Sequence, residues 1–139
     1  MTRNSLLGGA IGGLVGGIVF GVILQATGLI AGVGGLVGAA GVGVGWVTLL
    51  VVMTVLGLVY AATFGRLERN WGTGALYGLA HGLVWWILGA LIIMPLVTGE
   101  ALFAMTQANW VNLLGYLVYG LIVGLVHHAM VEQRLPVRG

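Results

Sequence analysis

Leu6-Leu7-Gly8-Gly9-Ala10-Ile11-Gly12-Gly13-Leu14-Val15-Gly16-Gly17-Ile18-Val19-Phe20-Gly21-Val22-Ile23-Leu24 decides how this chain is read. It contains no charged residue, and the apolar run continues to Ile30. A helix needs about 20 apolar residues to cross the hydrocarbon of a bilayer. The core of a secretory signal peptide is only about 7–15 residues long. The stretch therefore predicts a retained transmembrane helix over 6–30. Three more stretches match it in length and apolarity: 46–64, 73–96 and 110–130. They lack the alternation and short period of barrel strands. The fold class predicted is all-α, a polytopic membrane four-helix bundle in one domain over 1–139.

Composition agrees. Of the 139 residues, 60% are hydrophobic and 6% charged, where a soluble domain carries about a quarter charged residues. There is no Cys, which excludes thiolate metal sites and cysteine nucleophiles. The chain has no Lys, hence no phosphate-binding Gly loop ending in Lys. No basic run suggests nucleic acid.

The breaks between spans set the orientation. Residues 31–45 are apolar but dense in Gly, which predicts a loop or re-entrant turn. Residues 65–70 form a short polar turn, and Pro95 is expected to help close the third span. All five basic residues, Arg3, Arg66, Arg69, Arg134 and Arg138, fall in segments that four spans bring to one side. The positive-inside rule assigns that side to the cytoplasm, with both termini there. Trp46, Trp71 and Trp110 stand at span ends, where indoles favour the interface. This predicts a multi-pass protein of the inner, cytoplasmic membrane. Glu68 and Glu132 are expected to pair with neighbouring Arg residues.

Glycine dominates the interior of the spans. Gly9, Gly13, Gly17 and Gly21 form one stripe, with Gly8, Gly12 and Gly16 beside it. Gly74, Gly78 and Gly82 repeat the stripe in the third span, and Gly120 and Gly124 in the fourth. Residues four apart share a helix face, and such grooves let helices pack closely in lipid. Two stripes on the first helix predict two neighbours; close packing inside the bundle alone is the first expectation, and the sharper one places one neighbour in a partner subunit of a pore-forming homo-oligomer. The segments 9–20 and 74–85 also overlay, with Gly9 on Gly74, Gly13 on Gly78 and Phe20 on Trp85. Gly57 overlays Gly120 in the second and fourth spans. Two tandem helical hairpins follow, related by an axis along the membrane normal.

Two histidines are candidates for cofactor binding. His81 lies roughly 12 Å inside its span and His127 roughly 5 Å, at ~1.5 Å rise per residue. Ionisable groups at such depth are functional suspects. They suggest haem b ligation by His81 and His127, or a quinone hydrogen-bonded by His81. The plainer expectation is a cross-helix hydrogen bond from His81 to Tyr116, Tyr119 or Asn112. No nucleophile, base and orienting group cluster in sequence, so the chain is expected not to be an enzyme. The spans offer too little polar lining for an ion pathway.

The segment Leu76-Tyr77-Gly78-Leu79-Ala80-His81-Gly82 through Trp86, Met94-Pro95-Leu96 and Gly115-Tyr116-Leu117-Val118-Tyr119-Gly120 resembles a group of small four-helix bacterial inner-membrane proteins. The likeness centres on residues 73–130. It implies a fold rather than an activity, since members of that group lack an assigned one. Where that group often has His, this chain has Tyr116, which weakens any ligand role on the fourth span. The function expected is an accessory or structural subunit of a larger, bioenergetic membrane complex, with lipid, other membrane subunits or self as partners. The alternatives are a haem- or quinone-binding redox bundle and a small oligomeric channel or transporter.

Overall fold

The computed structural model describes residues 2–132. Arg134 and Arg138, two of the expected topology markers, lie outside them.

Four helices are long and apolar enough to cross a membrane, and no strand occurs among the described residues. The first, α1 (Arg3–Ala26), begins earlier than the apolar run because the Thr2 side chain accepts from Ser5 N and caps it. It ends before Ile30, at Thr27 and at Gly28, whose φ of +76° takes the chain out of the helix. The Gly-rich connection is neither span nor open loop. It folds into one helical turn, α2 (Ile30–Val33), and a 3-10 turn, Gly34–Val37, closed by left-handed Gly38. The backbone of Ile30 presses on Gly45 so closely that no Cβ fits there. Ile30 itself is buried. The second span is α3 (Val42–Ala62), extended by a 3-10 turn, Phe64–Arg66.

The third span differs most from expectation. It starts at α4 (Trp71–Trp85), behind a capping box of Asn70 and Thr73. It then widens into a π-helix over Trp86–Ile93 and resumes as α5 (Met94–Thr98). Pro95 does not close the span: the helix runs on to Thr98 and stops at left-handed Gly99. Proline lacks the N–H that would bond the carbonyl four residues back. That carbonyl, on Leu91, accepts instead from Phe103 N at 2.9 Å. The fourth span is α6 (Gln107–Glu132).

The spans form a ring in the order α3, α1, α6, α4. Three of its four seams are lined with glycine. Gly9, Gly13 and Gly17 face α3 at Gly57 and Met53. Gly8, Gly12 and Gly16 face α6 at His127, Val123 and Tyr119. Gly74, Gly78 and Gly82 face Gly124, Gly120 and Tyr116. Both stripes of α1 are therefore used inside the bundle, and neither is left for a partner subunit. Gly21 serves differently: it makes room for the indole of Trp46, which donates to Gln25 Oε1 at 3.0 Å.

The two hairpins share this seam chemistry but are slid by one turn. Gly13 meets the carbonyl of Met53, whereas its overlay partner Gly78 meets that of Gly120, one turn further along. On the fourth side of the ring the likeness ends. Where α1 carries Gly8, Gly12 and Gly16 toward α6, the overlay gives α4 Thr73, Tyr77 and His81. Thr73 turns into the cap of α4, whereas Tyr77 and His81 meet Phe64 and Tyr60, so that rings rather than backbones fill the seam between α3 and α4.

Candidate functional site: an apolar cavity above a buried polar network

The wide seam has two halves. The half toward Arg3, Arg66 and Arg69 is filled. His81 is 1% exposed, ringed by Tyr60, Phe64, Trp85 and Tyr119 with centroids 5.2–6.2 Å away. Its Nε2 has no hydrogen-bond partner. The expected bond to Tyr116, Tyr119 or Asn112 is not made, and the Tyr119 hydroxyl donates to the Met53 carbonyl at 2.7 Å instead.

Beside this cage, the bundle end is tied by a network that the sequence did not suggest. His127, also 1% exposed, faces Ser5 Oγ through Nε2 at 2.8 Å and Glu68 Oε1 through Nδ1. The Tyr60 hydroxyl donates to the second oxygen of Glu68 at 2.7 Å. His128 Nδ1 lies 3.8 Å from Glu68. The network joins the first turn of α1, the end of α3, the 64–70 connection and the last turns of α6. The expected pairing of Glu68 with Arg66 or Arg69 does not form: the carboxylate is turned inward, 2% exposed. Buried ions need partners of this kind, because desolvation is costly. Glu132 lies 3.9 Å from His128.

This geometry bears on the haem expectation. The Tyr60 ring meets both imidazoles edge-on, at 5.2 Å for His81 and 5.4 Å for His127. Both His127 nitrogens are already engaged. An iron shared by the two histidines, with a macrocycle around it, does not fit these residues.

Ser5, His127 and Glu68 follow the order of a nucleophile, base and orienting acid. Geometry alone does not make that order reactive. The His127 ring is hemmed in by two glycines: Cβ atoms on Gly8 and Gly65 would lie 3.3 and 2.8 Å from ring carbons. Ser5 is itself buried, and the bonds tie the first turn of α1 to α6 and to the 64–70 connection as a clasp.

The other half of the wide seam is open. A cavity of ≈ 340 Å³ lies there. Leu49, Val52, Met53 and Leu56 form one wall, and Trp85, Gly89, Ala90 and Ile93 the other. Phe20, Leu24 and Tyr116 line it from α1 and α6, and Leu29, Val33 and Leu36 from the folded connection. Polar groups gather only toward the end away from the arginines, at Thr98, Glu100, Thr106, Asn109 and Asn112. The Asn109 side chain donates to the Ala104 carbonyl at 2.6 Å, and the Trp86 indole donates to the Asn109 carbonyl at 2.9 Å. These bonds anchor the rim to the π-helix. The π turn matters here because it swings Gly89 and Ala90 to the cavity face, and π segments recur at functional sites. His81 is not among the lining residues.

The residues missed in the sequence have only weak signals. Glu68 could have been noticed as a carboxylate at the same bundle end as His127. The cavity has none, since it arises from what is missing between large residues. Comparison with protein-family models, curated proteins and solved structures finds no match.

Proposed function

We propose that this chain is a non-catalytic, multi-pass protein of the cytoplasmic membrane that holds a small amphipathic lipophile. The observation that carries the reading is the ≈ 340 Å³ cavity between α3 and the third span. Its volume falls within the ~300–1,000 Å³ of small-molecule sites, and its chemistry matches theirs, apolar walls with a few convergent polar groups. The apolar body of the ligand lies against Phe20, Leu24, Met53 and Trp85, and its polar end rests among Asn109, Asn112 and Glu100. Exposed Leu, Ile and Val residues on all four spans face lipid, so a ligand reaches the site from the bilayer.

An accessory role in a larger complex remains compatible with lipophile binding. The glycine stripes lend it no support, because they are used internally. A quinone fits the ligand class by shape, held by the rim rather than by His81. Arg3, Arg66 and Arg69 share one end of the bundle, which supports placing that end in the cytoplasm.

The test is solvent extraction of protein purified in mild detergent, followed by mass analysis. One lipophile near one copy per chain is expected. Ala108 also lines the cavity, beside Asn109, and Ala108→Trp, which fills that end, should abolish the bound lipophile while leaving the helical circular-dichroism signal intact. A clean extract from the wild type, or an unchanged one from Ala108→Trp, overturns the reading.

A further inference from the structure

Glu100 stands alone at its end of the molecule. Among the described residues every Arg, at Arg3, Arg66 and Arg69, lies at the opposite end, as do Glu68 and Glu132. Among the described residues no cation pairs with it. It nevertheless lines the cavity rim, held there by its backbone N–H donating to the Pro95 carbonyl at 3.0 Å. The Pro95–Gly99 turn thus places the charge over the opening. Below it the walls carry Phe20, Trp85 and Tyr116, an apolar and aromatic lining suited to the body of a ligand rather than to its charge.

We infer that the cavity selects lipophilic cations: an aromatic or alkyl body inside, with an ammonium group at the rim beside Glu100. The inference rests on the binding reading above and adds the sign of the ligand's charge. A single negative charge at the mouth of an apolar site attracts a cation and repels an anion of equal shape, so specificity comes from both terms. One pair of charges about 4 Å apart in water is worth about 1 kcal/mol, or about fivefold in affinity, and the rim is exposed enough for that screened limit to apply.

Three probes of one shape separate the possibilities: benzyltrimethylammonium, its uncharged carbon isostere neopentylbenzene, and benzylsulfonate. Each is titrated calorimetrically into the full chain in uncharged detergent. Glu100→Gln should weaken the cation about fivefold, strengthen the anion and leave the neutral probe unchanged; each probe is read against its own wild-type affinity, so that differences in desolvation cancel. Ala108→Trp should remove binding of all three. Cation and neutral probe responding alike to Glu100→Gln overturn the charge inference and leave the cavity reading standing. Neutral-probe binding unchanged by Ala108→Trp overturns the cavity reading itself.

Discussion

Glu68 shows how much one side chain can connect. It is nearly sealed from solvent, and its two oxygens serve His127 and Tyr60. Removing one member leaves the others buried without partners, which costs about 1–3 kcal/mol per group. Glu68→Ala and His127→Ala should each lower the thermal midpoint in detergent markedly, and Ser5→Ala, which deletes a single hydrogen bond, by less. If His127→Ala and Ser5→Ala melt alike, the network is not the clasp described. Such a role for Glu68 was hidden in the sequence. The polar turn 65–70 holds arginines on both sides of it, and local pairing is the natural expectation. Only the inward fold of the connection brings His127 within reach. His81 was legible as a buried residue, but its neighbours were not, because four rings from three spans meet around it.

At the level of elements, glycine positions sort by what lies opposite them. A Cβ at Gly78 or Gly120 would run into the facing backbone, whereas one at Gly43 meets nothing within 4 Å. Gly78→Ala and Gly120→Ala should each destabilise by about 1–3 kcal/mol, as overpacked interiors do. Gly43→Ala, within α3, should be neutral or stabilise by up to about 1 kcal/mol through helix propensity. Parallel unfolding titrations check the contrast, and equal effects would remove the seams from the account. The stripes were readable because period-four glycine on a long apolar helix has few other uses. Their partners were not: both faces of α1 turned out to be internal. Pro95 was read as a stop because proline usually is one. Here the preceding π turn and the Phe103 N–H absorb its missing donor. Pro95→Ala offers Leu91 a helical donor in competition with Phe103. Faster hydrogen exchange over 99–106 is the expected result, and unchanged exchange there would show that the tether contributes nothing.

For the molecule as a whole, the number of spans and the common end of Arg3, Arg66 and Arg69 were both legible from hydropathy and charge, since lipid imposes those patterns on any sequence. The orientation is directly testable. Because the chain contains no Cys, single cysteines report without background. Cysteine in place of Ala101 should react with an impermeant maleimide added outside intact cells. Cysteine in place of Asn70 should react only after permeabilisation, and the reverse pattern would invert the topology. The broken symmetry of the hairpins, by contrast, was present in the overlay as Tyr77 and His81 opposite Gly12 and Gly16, but only the assembled ring shows that the difference opens one side.

That open side has a mechanical consequence. Three seams are backbone against backbone and cannot be compressed, because close-packed interiors resist strain. The α3–α4 seam is held apart by side chains and partly empty, so it is the compliant direction of the bundle. Bilayers of different thickness load a helical bundle through tilt and mismatch. A change of bilayer thickness should therefore alter the spacing of α3 and α4 before that of the other three seams.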